Sequence, residues 1–128
     1  CGTGHSVSFV GNVHEGPHAL NGRNTTLMRP GMIVTDEPGV YETDLVGIRI
    51  ENELVCVHKA DNQYGTFLGF EPIMFVPIAT SPIVPGVLTK DELDWLNNYH
   101  RQVFEKLAPR LNDEEREWLA KKCAAIGC

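Results

Sequence analysis

Polar and apolar positions change rhythm along the chain, and the change divides it. Up to about residue 80 the pattern is that of strands and turns; from about residue 89 it is helical. Val7, Phe9 and Gly11 alternate with Ser6, Ser8 and Asn12, which predicts a strand over Val7 to Val13 leading to His14. Pro17 to Pro30, rich in Asn, Gly, Thr and Pro, reads as a loop. Met32-Ile33-Val34 is a short strand between the turn signals Pro30-Gly31 and Pro38-Gly39. Val46 to Val57 is the longest strand candidate, with Ile48, Ile50 and Asn52 on one face and Gly47, Arg49, Glu51 and Glu53 on the other. Asn62 to Gly65 reads as a turn. Phe67 to Ile78 is a further strand region, broken by Pro72 and Pro77.

The helical part opens with a capping box, Thr89 with Glu92. Leu93, Leu96, His100, Val103 and Leu107 follow at helical spacing, with Trp95, Tyr99 and Phe104 adding bulk. Pro109 separates a second helix, capped by Asn112, with Asp113, Glu114 and Glu115 in its first turn and Gly127 as its end. Trp118, Leu119, Lys122, Cys123 and Ile126 form its predicted inward face.

A length of 128 residues with 42% hydrophobic and 22% charged residues suits one globular domain. The net charge of −6, with no dense basic stretch, argues against nucleic acid as a partner. No apolar run approaches the ~20 residues that span a bilayer, and no signal peptide is evident, so no membrane partner is expected. The abrupt start without Met, at Cys1, is expected of a fragment or a trimmed product. Cys1, Cys56, Cys123 and Cys128 form no C-x-x-C pair, which suits reduced thiols in a cytoplasmic protein.

Three clusters carry chemistry. Glu51 and Glu53 share a predicted strand face with Arg49, which reads as a solvated edge, as an Arg49–Glu51 ion pair, or as a ligand-bearing face. Thr35-Asp36-Glu37-Pro38-Gly39-Val40-Tyr41 puts two carboxylates at the end of a buried strand, either as turn residues or as rigidly held ligands. Gly2-Thr3-Gly4-His5 and Asn12-Val13-His14-Glu15-Gly16-Pro17 put two histidines within reach of one pocket, beside glycines that permit close backbone approach. His18, His58 and His100 read as ordinary surface or core histidines. One histidine with several carboxylates is a hard, oxygen-rich donor set, suited to Mn²⁺, Co²⁺ or Zn²⁺.

These motifs, with Gly31 to Tyr41 and Gly47 to Glu53, occur in the order found in Xaa-Pro aminopeptidases (aminopeptidase P), of the creatinase and methionine aminopeptidase superfamily. Phe70-Glu71-Pro72 and Trp95 to His100 resemble the cytosolic eukaryotic type. The resemblance implies an α+β fold, the C-terminal half of the pita-bread architecture: a curved antiparallel sheet over 1–88 and a helical extension of the same domain over 89–128. It implies a site of two divalent ions, Mn²⁺ foremost with Zn²⁺ or Co²⁺ as alternatives, held by two aspartates, one histidine and two glutamates. His5 matches the histidine ligand, Glu37 the first glutamate and Glu51 the bridging one. His14 matches the histidine that steadies the substrate, while Arg49 and Tyr41 match residues that hydrogen-bond around the metal carboxylates. The aspartates precede the Gly-Thr-Gly-His motif in the family, and Cys1 stands where many relatives carry a further histidine.

The resemblance further implies peptides with proline at position two as substrates. The missing N-terminal part of the chain and a second copy, as a homo-oligomer such as a dimer, are its implied partners. With two ligands absent, the chain alone is expected to bind metal weakly and to be inactive as a peptidase. A protein-binding module without catalysis, and sibling activities such as proline dipeptidase or methionine aminopeptidase, are the alternatives.

Overall fold

The computed structural model describes residues 3–127, so Cys1, Gly2 and Cys128 lie outside the described residues. The order is β1 (His5–Ser6), β2 (Glu15–Ala19), β3 (Ile33–Asp36), β4 (Gly39–Glu42), β5 (Val46–Arg49), β6 (Asn52–Asn62), β7 (Gly65–Pro72), α1 (Lys90–Leu107), a 3₁₀ turn at Ala108–Arg110, and α2 (Asp113–Lys122). All the pairings are antiparallel and all the helix follows the strands, which is the expected α+β class. Two compact units divide the chain, Cys1–Met74 and Phe75–Cys128.

In the first unit the strands form three sheets: β1 with β2, β4 with β5, and β6 between β3 and β7. Strand β3 is buried on both faces, because Val34 and Thr35 point opposite ways and both are covered. His18, at the end of β2, donates from Nε2 to the Ile33 carbonyl at 2.8 Å and ties β2 to the start of β3. Gly4 has φ of 79°, and a Cβ there would stand 2.3 Å from the Leu20 side chain, so only glycine lets the chain pass.

Three expectations change here. Val7 to Val13 is not a strand, since the Ser8 hydroxyl accepts the Gly11 amide at 2.8 Å and the Glu15 carboxylate accepts that of Asn12 at 2.6 Å. Short polar side chains thereby offer the backbone a turn in place of a ladder. The predicted loop from Pro17 overlaps β2. Val46 to Val57 is not one strand but two, β5 and β6, interrupted at Ile50-Glu51. The Ile50 amide donates to the Pro38 carbonyl at 3.3 Å, and beyond it the chain leaves the β4 hairpin for the β3 ladder. Past Pro72 the chain is irregular, as the prolines there require.

The second unit packs residues 75–78 against α1 and α2. Both capping boxes form: Thr89 with Glu92, and Asn112 with Glu115. Leu93, Leu96, Tyr99, His100 and Val103 line the buried stripe of α1. The Tyr99 hydroxyl donates to the Val76 carbonyl at 2.9 Å, and the Ile78 amide donates to His100 Nε2 at 3.0 Å. Helix α2 ends at Lys122, short of Gly127, and buries only Leu119 among its residues. Trp118 faces outward instead, under Lys122 Nζ at 5.7 Å from its ring.

Two outcomes are expected. Leu119→Ala, emptying a site in this core, costs roughly 2–5 kcal/mol in urea unfolding followed through Trp95 and Trp118 fluorescence. Burial holds the His100 pKa below its ordinary value, and the Ile78 amide occupies the lone pair a proton would take. The unfolded chain therefore binds the proton more readily, and stability is lost as pH falls below about 6.5 toward the depressed folded value. The same unfolding experiment on His100→Gln shows a shallower decline over that window.

Candidate metal centre

Two strand ends and a hairpin position the site. Strand β1 presents His5. The chain just beyond β3 presents Glu37, and Pro38 turns it into the β4–β5 hairpin. A Cβ at Gly39 would stand 2.5 Å from the Tyr41 hydroxyl, so glycine lets that ring lie across the hairpin. Arg49, paired opposite Gly39, then donates from Nε to the Tyr41 oxygen at 2.8 Å.

Glu37 is the centre of this geometry, its side chain only 5% exposed. The Thr35 hydroxyl donates to its Oε1 at 3.0 Å. That oxygen lies 2.7 Å from His5 Nε2, and Arg49 Nη1 lies 3.5 Å from Oε2. Burial by itself raises the carboxyl pKa, but the hydrogen bonds from Thr35 and His5 and the charges of His5 and Arg49 outweigh it. The net result holds Glu37 below the ordinary carboxylate value, as an anion.

His5 Nδ1 lies 2.9 Å from the Ser6 carbonyl, which can only accept, so Nδ1 carries the proton. Nε2 is buried and faces the Glu37 carboxylate oxygen at 2.7 Å. A positive charge belongs between two such atoms: a proton on Nε2 in the metal-free protein, or a cation that displaces it. A backbone carbonyl fixing one ring nitrogen while the other is left for a cation is the arrangement of a metal-ligating histidine. The donor set of this pair therefore fits a divalent ion.

The other predicted residues are brought near in differing degree. The His14 ring meets that of His5 edge-on, with centroids 4.5 Å apart. Glu51, 38% exposed, lies in the break between β5 and β6, with its Oε2 3.8 Å from Arg49 Nη1. The guanidinium is thus shared by Glu37 and Glu51, and among the described residues no three His, Cys, Asp or Glu side chains form a group that could hold an ion. Gly2, part of the first motif, lies outside the described residues. Thr35 is the residue the sequence reading gave no role; its i, i+2 relation to Glu37 was the available signal.

The chain is similar over most of its length to known metallopeptidases. Residues 1–58 match the model of metallopeptidase family M24, and residues 66–126 match that of the C-terminal region of peptidase M24. The chain is 46% identical over 92% of its length to aminopeptidase P2 of Arabidopsis thaliana. It is 41% identical over 98% of its length to a probable Xaa-Pro aminopeptidase P of Coprinopsis cinerea. These alignments span only 18% and 21% of the two relatives. A crystal structure of X-prolyl aminopeptidase from Caenorhabditis elegans, described as a cytosolic enzyme with a di-nuclear active site, superposes with a TM-score of 0.82 at 39% identity. That match covers 98% of this chain and 21% of the other.

In metal-free protein, His5→Ala removes both a hydrogen bond and a charge that hold Glu37 ionised, and leaves its burial. The Glu37 carboxyl titration midpoint, followed by ¹³C NMR, moves upward relative to the parent chain.

Proposed function

The chain belongs to metallopeptidase family M24, and on that premise we propose that it is the C-terminal catalytic part of a Xaa-Pro aminopeptidase, cleaving the bond between an N-terminal residue and a following proline. The observation that carries this reading is the buried His5–Glu37 pair, in which a ring nitrogen and a carboxylate oxygen 2.7 Å apart offer two ligand atoms to a cation that displaces the proton between them. His5, Glu37 and Glu51 are assigned as ligands of two divalent ions, with Mn²⁺ the expected metal. Ions bound there supply the Lewis acidity that amide hydrolysis requires.

Glu37 stays a carboxylate through neutral pH, the form that accepts a proton in transit to the leaving proline nitrogen. His14 is exposed beside His5 and is assigned to steady the substrate and donate to the developing oxyanion. Arg49, braced by Tyr41, separates and orients the carboxylates of Glu37 and Glu51. The remaining ligands are aspartates carried outside this stretch of sequence, so the 128 residues alone lack the full donor set. The two regions 1–88 and 89–128 are read as one catalytic domain and its helical extension. The whole protein is read as a cytosolic homo-oligomer.

The test uses the full-length protein with Mn²⁺ and three substrate sets: Xaa-Pro peptides, Xaa-Pro dipeptides and Met-peptides. Hydrolysis of the first set is expected, with His5→Ala and Glu37→Gln each reducing kcat/KM by at least about 100-fold. The isolated chain is expected to show no turnover. Preference for Met-peptides, or undiminished activity in both variants, would sink the assignment.

A further inference from the structure

Thr35 is 1% exposed and stands at the meeting point of two segments distant in sequence. Its Oγ1 accepts the backbone amides of Gly4 at 3.1 Å and of His5 at 3.2 Å, and its hydroxyl donates to Glu37 Oε1 at 3.0 Å. A hydroxyl offers one donor and two acceptor sites. Here all are committed, and the direction of each bond follows: an amide can only donate, so the single proton must go to the carboxylate. The bond to Glu37 therefore cannot reverse. One side chain fixes the backbone at His5 on one side and the carboxylate on the other.

We infer that Thr35 is a positioning residue that sets the spacing of His5 and Glu37, and through it the affinity of the site for its metal. This rests on the metal-site reading above. The oxygen that Thr35 contacts is the one facing His5 Nε2, so the hydroxyl bond turns the carboxylate and leaves its remaining lone pairs for a cation. Valine matches threonine in shape but lacks the hydroxyl. It would leave two amides without an acceptor and the carboxylate free to rotate.

The experiment compares Thr35→Val, Thr35→Ser and His5→Ala with the parent, in the full-length protein. The readouts are Mn²⁺ affinity by calorimetry and hydrogen exchange at the Gly4 and His5 amides without metal. Thr35→Val is expected to lose about 10–100-fold in Mn²⁺ affinity, the range for residues that orient a ligand, and to speed exchange at both amides. Thr35→Ser, which keeps the hydroxyl, is expected to retain the parent affinity and slow exchange. Parent-like affinity in Thr35→Val, or a loss in Thr35→Ser as large as that expected for Val, overturns the inference while leaving the metal site standing. Undiminished Mn²⁺ binding in His5→Ala overturns the metal-site reading and this inference with it. Should Thr35→Val not fold, Thr35→Ser and parental exchange decide, and fast exchange at both amides counts against the inference.

Discussion

A carboxylate taken almost wholly out of water must be surrounded by donors or lose its charge. Glu37 is that group, and the first unit is arranged around it. Strand β1 is brought alongside β3 so that His5 and two backbone amides reach Thr35 and Glu37. The hairpin that follows Pro38 returns Arg49 to the other carboxylate oxygen. Thr35, in β3 and two residues before Glu37, contributes the one local bond. The contacts from His5 and Arg49 come from other stretches of sequence, so the ionised state of Glu37 depends on those stretches folding together.

The same dependence explains Glu51. Its backbone lies where the chain crosses from the β4–β5 ladder to the β3–β6 ladder, and its side chain is more exposed than that of Glu37. Arg49 spans the two carboxylates, neutralising charges that would otherwise repel. Neighbours of one guanidinium, Glu37 and Glu51 thus differ in how firmly they are held: one by several buried contacts, the other by an ion pair at 3.8 Å on a more exposed segment.

Much of this was legible in the sequence. The two helix starts were, because Thr89–Glu92 and Asn112–Glu115 are local devices that need nothing distant. The site residues were visible through their ordered motifs, and the structure brings His5, His14, Glu37, Arg49 and Tyr41 into one neighbourhood. The division of Val46 to Val57 was not legible, since residue alternation continues unchanged when a chain moves between ladders. The failed strand at Val7 to Val13 turned on Ser8 and Glu15 side chains competing for backbone amides. Trp118 was misplaced because helical spacing cannot tell which bulky residue faces inward when only Leu119 is buried.

The two capping boxes also bear on time. Each closes between residues three apart, whereas the Gly4–Thr35 bond joins residues 31 apart. Local closures are fast and non-local ones slow. The helices of the second unit, made after the strands of the first, are therefore set to take shape sooner after synthesis than the cradle of Glu37, which must first close a long loop. In such a chain the order of manufacture and the order of structure run in opposite directions, and the site is among the late arrivals.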